Sequence, residues 1–391
     1  MTELVTGEDR KPTGLGLRVY SQQNVRDAAY DRVEWIFREF DQVMCNVSGG
    51  KDSTVLLKVC LDVAVSLGRL PLKVYWLDQE AEWQSTVDLV REWMHRDDVE
   101  PVWLQVPFRI FNASSQIDHW LYAWDPAAKG KWVHDQDPLS FKLNRYGTDR
   151  FHKLFNGALE WHLGRGKACG ISGVRCEESP TRRQGLTHQA SYKWVTWGRV
   201  SNGKLGHYAF YPLYDWFSSD VWKFIHDNDL RYSVHYDQLY QRGSPIRHMR
   251  VSNLHHETAV KSLFMLQEIE PDTYERLVDR IGGVDMAGKL GLADYFPDEL
   301  PFMFSNWLEY REYLLDHLVD DDYRPALRRQ FAAVDRGLPP GFRQGGRFQQ
   351  VRSILTCDWE GAKLETWFNS PQVWKARRAW SDQKLERLGT K

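Results

Sequence analysis

The chain has 391 residues and a net charge of −2, with 42% hydrophobic and 27% charged residues. Its length predicts about two or three domains, and its composition excludes a disordered chain and a polycation that coats nucleic acid or membranes. No apolar run approaches the roughly 20 residues that span a bilayer. Five sparse Cys indicate reduced thiols, so a cytoplasmic protein is expected.

The first half of the chain alternates between helical and strand patterns. The predicted helices are 25–40, 54–67, 84–95 and 151–163, and the predicted strands are 43–47, 72–77, 101–106 and 168–174. The polar and aromatic stretch 108–149 is expected to be a loop with short helices. Because no hairpin signal separates the strands from the helices, we predict an α/β fold with a doubly wound, mostly parallel sheet.

The chain changes character after about residue 231. Beyond that point, segments 254–283, 303–335 and 371–388 have helical patterns that are broken by prolines. The predicted units are an N-terminal lead-in at 1–24, an α/β domain at 25–231 and a mainly helical C-terminal domain at 232–391.

The strongest chemical signal is Ser48-Gly49-Gly50-Lys51-Asp52-Ser53-Thr54, between a predicted strand and a predicted helix. Two glycines allow the backbone to approach phosphate closely, and a helix N-terminus offers free N–H groups and a positive dipole end. Lys51 adds a charge for phosphate, and Asp52 can hold the Mg²⁺ that a triphosphate requires. The segment is not a Walker A loop, because Cys45 replaces its first glycine and Asp52 follows the lysine.

This segment resembles the PP-loop of the N-type ATP pyrophosphatases, and further segments resemble the phosphoadenosine-phosphosulfate (PAPS) reductase branch of that family. The matching segments are Asp78-Gln79-Glu80-Ala81-Glu82-Trp83, Gly173-Val174-Arg175-Cys176-Glu177-Glu178-Ser179 with Arg182-Arg183, and Tyr211-Pro212-Leu213-Tyr214-Asp215-Trp216 with Asp220-Val221-Trp222. The resemblance covers about residues 25–250. It implies an adenine nucleotide α-hydrolase-like fold and cleavage of ATP between the α and β phosphates.

The resemblance also implies which residues form the site. Those expected to bind ATP are Ser48, Gly49, Gly50, Lys51, Asp52, Ser53, Thr54, Leu77, Asp78, Gly173 and Asp215. Those expected to be catalytic, by neutralising and positioning phosphates, are Lys51, Asp52, Arg175, Arg182 and Arg183. Those expected to hold Mg²⁺ are Asp52, Asp78 and Glu82. A purely structural role stays open for each segment. The segment 78–83 could be a solvated acidic loop, the three arginines could be surface charges only, and Asp215-Trp216 could be a structural corner.

The chain departs from the reductases at its cysteines. The late Cys357 lies in Leu355-Thr356-Cys357-Asp358-Trp359, which lacks the nucleophile context of that branch, and no paired cysteines for an iron–sulfur cluster are present. The segment Arg247-His248-Met249-Arg250 resembles a subgroup that includes the ATP-pyrophosphatase component of DNA phosphorothioation systems. That likeness implies sulfur transfer to an adenylated DNA backbone, a cysteine desulfurase as sulfur donor, and a role in DNA modification and phage defence.

Two other functions stay open: a sulfonucleotide (PAPS or adenylylsulfate) reductase, and a non-catalytic ATP-binding adaptor or transcriptional co-activator. Cys176 is a sulfur relay or a plain loop residue, and a metal at His255-His256-Glu257 is disfavoured because adjacent helical residues face apart. The stretch 374–380 mixes cations with Trp, which suits nucleic acid but also an amphipathic docked helix. The oligomeric state, including a homo-oligomer, is open.

Overall fold

The computed structural model describes most of the chain. The described residues are 22–112, 120–187, 190–244, 249, 253–255, 263–285, 299–319, 321–355, 358 and 361–389. Several residues of the sequence analysis lie outside them: most of the lead-in 1–24, Arg247, His248, Arg250, His256, Glu257 and Cys357.

A mostly parallel sheet organises the first part of the chain. The strands are β1 Gln42–Asn46, β2 Leu72–Leu77, β3 Val99–Leu104, β4 Phe108–Phe111, β5 Trp120–Ala123, β6 Ala168–Ile171, β7 Gly198–Asn202 and β8 His207–Phe210. Six of them form one sheet in the order β3-β2-β1-β6-β8-β7, in which β7 alone runs antiparallel to its neighbour. From β1 the chain continues to β2 and β3 on one side of the sheet, whereas β6 lies on the other side of β1. This reversal of strand order is a topological switch point, which is where open α/β sheets bind ligands.

Helices cover both faces of this sheet. They are α1 Val25–Glu39, α2 Lys51–Ser66, α3 Gln84–Met94, α4 Phe151–Leu163, α5 Pro180–Thr187, α6 Ser218–Asp227, α7 His235–Gln241, α8 Leu263–Ile269 and α9 Pro271–Arg280. Apolar residues of α1, α2, α3 and α6 form one buried cluster against the sheet, and those of α4, α8 and α9 form a second one. The central strand β1 is a short run of Val, Met and Cys that are all buried, as expected for a strand with both faces covered. The doubly wound α/β prediction is therefore confirmed.

The C-terminal helices have a core of their own. They are α10 Trp307–His317, α11 Arg324–Gly337, α12 Arg343–Leu355, α13 Ala362–Phe368 and α14 Pro371–Gly389. Their third cluster includes Leu315, Phe331 and Ile354, whereas Leu266 and Leu277 belong to the second cluster with the sheet. The buried clusters thus join α8 and α9 to the sheet rather than to the later helices, and the domain division at residue 231 stays a prediction.

Two antiparallel pairs of strands were not expected, because the sequence showed no hairpin signal. Strand β4 pairs with β5 within the stretch predicted to be a loop, and β7 pairs with β8 at the edge of the main sheet. All four strands have only four or five residues, which is too short for period-two alternation to stand out in the sequence. Among the described residues, no helix is both long and apolar enough to cross a membrane.

Candidate functional site

The predicted phosphate loop connects β1 to α2 at the switch point. Gly49 has φ +71°, and a Cβ at this position would lie 2.4 Å from Thr86 Cγ2. Both the left-handed backbone and the contact with α3 therefore require glycine. Gly50 stands at the N-cap of α2 and has no side chain with which to cap the helix.

Hydrogen bonds hold this loop from within. The Ser53 and Thr54 hydroxyls donate to the Gly50 carbonyl at 2.8 and 3.1 Å, and the Ser48 N–H donates to Ser53 Oγ at 3.2 Å. Both hydroxyl protons are therefore already used in hydrogen bonds to the backbone of the loop. The predicted phosphate contact of Ser53 is left to its backbone N–H group, whereas the Thr54 N–H already donates to the Gly50 carbonyl at 3.0 Å.

A chain of charged groups joins the loop to the segment after β6. Lys51 Nζ lies 2.7 Å from one Asp52 oxygen, and Arg175 Nε lies 2.5 Å from the other. Arg175 is only 4% exposed and also donates to Glu177 at 2.6 Å. Gly173 leaves room for this approach, because a Cβ there would lie 3.0 Å from the Asp52 carbonyl oxygen. The structure therefore brings together four residues that were predicted from two distant segments.

The predicted acidic loop is buried rather than solvated. Asp78 is inaccessible to solvent, and its carboxylate oxygens accept from Trp103, Gln105, the Glu80 N–H and His134 Nε2 at 2.8 to 3.2 Å. With four donors around it, Asp78 has no open position for the predicted Mg²⁺ or ribose contact. Burial lowers the pKa of His134, but the charge and hydrogen bond of Asp78 outweigh it, so the net pKa is raised.

Glu80 and Glu82 have different environments within this loop. Glu80 is fully buried and forms an ion pair with Arg280 of α9, with one N···O distance of 2.5 Å. Glu82 is 5% exposed, and burial followed by the charge of Asp78 raises its pKa well above the ordinary value. Among the described residues, no three acidic, His or Cys side chains are grouped as a metal site. The predicted Mg²⁺ set of Asp52, Asp78 and Glu82 is thus not assembled as a three-ligand cage.

A cleft of about 880 Å³ opens at the carboxyl edge of β1, β2 and β6. This volume lies within the roughly 300–1,000 Å³ range of small-molecule sites. Predicted residues that line it are Ser48, Leu77, Glu82 and Arg182. Residues that also line it but were not predicted are Asn46, Tyr75, Phe155, Ser172, Arg199 and Tyr211. These cannot be found by motif, because they meet only through the sheet order and the packing of α4.

The remaining predicted residues lie outside the phosphate loop. Arg182 pairs with Glu178, and Arg183 is exposed on α5. Both oxygens of Asp215 accept from the Arg32 guanidinium at 2.7 Å, which joins the corner after β8 to α1. This ion pair supports the structural corner at Asp215, and the ATP contact of Asp215 stays a prediction.

Tyr236 is a residue near the loop that the sequence analysis missed. Its hydroxyl accepts from the Lys51 N–H at 3.2 Å, and its neighbour His235 stacks on Trp83 with ring centres 5.2 Å apart. No local pattern could reveal this contact, because 185 residues separate Lys51 from Tyr236. Cys176 is partly buried beside Val174 and Tyr214, and its role as a sulfur relay stays a prediction.

Comparisons with known proteins identify relatives of the chain. The chain is 26% identical over 306 residues to an uncharacterized protein, YbdN, of Escherichia coli (strain K12), covering 75% of this chain and 74% of that protein. It is 21% identical over 221 residues to an adenosine 5'-phosphosulfate reductase of Staphylococcus haemolyticus (strain JCSC1435), covering 56% of this chain and 76% of the reductase.

A solved PAPS reductase from Candida auris, in its phosphate complex, is 14% identical with a TM-score of 0.28 and covers 57% of this chain and 94% of that one. At such a TM-score the likeness carries no argument. Residues 42–288, well over half of the chain, match the phosphoadenosine phosphosulfate reductase domain, and the chain therefore belongs to that family.

Proposed function

We propose that the chain is an ATP pyrophosphatase that cleaves Mg·ATP between the α and β phosphates and adenylates an acceptor. The observation that carries the proposal is the loop after β1: its Ser48 lines the cleft, and its Gly50 is the N-cap of α2. Backbone N–H groups at a helix N-terminus favour a phosphate chain, and the positive end of the helix dipole adds to them.

The charged residues beside the loop support the same chemistry. Lys51 and Arg175 flank Asp52, so phosphate oxygens entering the loop would meet two cations that are already positioned. Positioned charges of this kind stabilise the negative charge that develops as pyrophosphate leaves. Asp52 is the carboxylate best placed to contact the Mg²⁺ that arrives with ATP, since such ions use one or two carboxylates together with the substrate's phosphates.

We further propose that the acceptor is the DNA backbone and that the product serves phosphorothioate modification. An acceptor phosphate oxygen would attack the α phosphorus, and the bond to the β phosphate would break. A persulfide from a cysteine desulfurase would then displace AMP, and a second thiol would reduce the remaining S–S bond. The resemblance of the 247–250 segment to phosphorothioation components supports this choice, and so does the position of Arg182 and Arg199 in the cleft wall.

Pyrophosphate release from Mg·ATP tests the proposal. Wild type, Lys51→Ala and the matched control Lys58→Ala would be assayed with and without duplex DNA, cysteine desulfurase and cysteine. Lys58 lies on the same helix, where it pairs with Asp62. We expect a loss of about 10²–10³-fold for Lys51→Ala, no change for Lys58→Ala, and stimulation by DNA.

Other outcomes would redirect the assignment. Release of phosphate instead of pyrophosphate contradicts α–β cleavage. Tight ATP binding without turnover, with all partners present, favours the adaptor reading. Stimulation by another acceptor, but not by DNA, retains the pyrophosphatase and removes the DNA step.

A second candidate is a sulfonucleotide reductase, because the chain aligns with staphylococcal adenosine 5'-phosphosulfate reductases. The unmatched context of Cys357 weighs against it. Sulfite release from adenylylsulfate in the presence of a dithiol, lost in Cys357→Ser and retained in Cys60→Ser, would favour the reductase. The buried Cys60 is a suitable control because it packs in the core against the sheet.

A further inference from the structure

Positive charge is concentrated in one part of the C-terminal helices. Residues 336–381 contain eight Lys and Arg against three Asp and Glu, a net charge of +5, whereas the whole chain carries −2. No acidic residue occurs within 336–357 or within 366–381. The cations with described side chains are Arg336, Arg343, Arg347, Arg352, Lys375, Arg377 and Arg378, and we call them the basic surface.

Part of the basic surface lies around the C-terminal end of α11, where three other helices pack against it. A Cβ on Gly337 would lie 3.9 Å from Arg377 Nε and 2.8 Å from the Phe368 ring. A Cβ on Gly346, next to Arg347, would lie 2.4 Å from Leu338. The end of α11, the first turns of α12 and the corner between α13 and α14 therefore meet, and they bring cations from three helices to one junction.

The acidic residues of these helices do not neutralise the basic surface. Asp335 precedes Arg336, but its carboxylate accepts from Arg311 at 2.8 Å and from Gln350 at 3.0 Å. Arg324 and Arg328, earlier in the same unit, pair with Asp321 and Asp316. In the described part of the chain, no carboxylate forms an ion pair with any residue of the basic surface. The positive field is thus open to an external partner.

We propose that the basic surface is a docking site for the phosphodiester backbone of a nucleic acid. Lys375 and Arg378 are exposed on α14, and Trp374, with 48% of its surface exposed, lies beneath the Arg378 guanidinium at 5.3 Å. Cations on an aromatic platform suit phosphates together with stacked bases. The proposal extends the proposed function by giving its acceptor a binding surface outside the cleft.

Fluorescence anisotropy with a labelled 20-base-pair duplex, without ATP, tests the site. The variant is Lys375→Glu/Arg378→Glu, and the matched control is Lys131→Glu/Lys223→Glu. These two lysines are exposed on the sheet unit, and the control alters the net charge by the same amount. We expect the variant to bind roughly 10–100-fold more weakly at 0.1 M salt, with a salt dependence shallower by about 1.8 in log–log slope, while the control binds like wild type.

Two results would overturn the docking site. One is equal weakening in the variant and the control, which would mean that only net charge matters. The other is stronger binding to vesicles containing phosphatidylserine than to the duplex, with the same loss in the variant, which would identify a lipid surface. The DNA-binding measurement contains no ATP, so its result does not depend on pyrophosphatase activity. The docking site and the pyrophosphatase activity can therefore fail independently of each other.

Discussion

Two arginines of the sheet unit and the basic surface of the C-terminal helices differ in how their positive charges are paired. In the sheet unit, Arg175 is buried, Arg280 has only 11% of its side chain exposed, and both are paired with carboxylates. On the C-terminal helices, Arg336 and Arg378 are exposed and no described carboxylate pairs with them. A buried charge must be paired to be tolerated, so its geometry is fixed, whereas an exposed cation costs little and acts over a distance. Fixed charges suit chemistry on a small ligand, and open charges suit capture of a large anion.

Arg280→Ala is the strongest test of this contrast. It leaves Glu80, which is fully buried, without its cation, and we expect a loss of about 3–5 kcal/mol in the free energy of unfolding. The matched control is Lys223→Ala, which breaks an exposed pair on α6 and is expected to have no measurable effect. Urea unfolding measures both. Equal effects of the two substitutions would show that burial does not separate the two kinds of pair.

Gly49→Ala tests whether the phosphate loop depends on its close contact with α3. Because the backbone is left-handed and the added Cβ would clash with Thr86, we expect the free energy of unfolding to fall by about 2–4 kcal/mol. We also expect ATP to bind more weakly. Gly68→Ala is the control, because Gly68 has φ +65° but no atom within 4 Å of its added Cβ. Thermal unfolding and ATP titration compare the two variants. If both lose the same stability, the contact with Thr86 is not what limits the loop.

His235 makes the stability of the sheet unit depend on pH. Burial lowers its pKa from 6.5 to about 3, so between these values the unfolded chain binds a proton that the folded chain does not. The stability that this neutral imidazole contributes is therefore fully present above pH 6.5 and is lost on acidification, by about 3 kcal/mol at pH 4.5.

His235→Phe should flatten the fall in stability between pH 6.5 and 4.5. His226→Phe, at an exposed position on α6, should leave it unchanged. Urea unfolding at several pH values measures this slope. A slope in His235→Phe that equals that of wild type would contradict the burial of a neutral imidazole.

The smallest expected effect belongs to the C-terminal helices. Arg377 lies 3.5 Å above the centre of the Phe368 ring, and Arg377→Ala should lower stability by about 1 kcal/mol. Arg378→Ala, at 5.3 Å from the Trp374 ring, should cost less. Unfolding followed by Trp fluorescence measures both. A loss at Arg377 as large as that at Arg280 would remove the contrast between the two regions.

Much of the fold follows from local patterns. The bounds of β2 and α4 agree with the predicted ones, because their apolar residues follow the period of a strand and of a helix. The phosphate loop is readable from two glycines and a lysine between a strand and a helix. The acidic loop was less readable, because a sequence shows that Asp78 is charged but not that four donors surround it.

The sequence by itself determined the α/β class, the PP-loop and the family, since each depends on residues that are neighbours in the chain. Only the tertiary structure decided that Arg175 meets Asp52, that Asp215 holds Arg32, and that Tyr236 reaches Lys51. These pairs are separated by 123 to 185 residues, and the order of the strands brings them together. Periodicity reports which side of an element is buried, but not which distant segment will cover it.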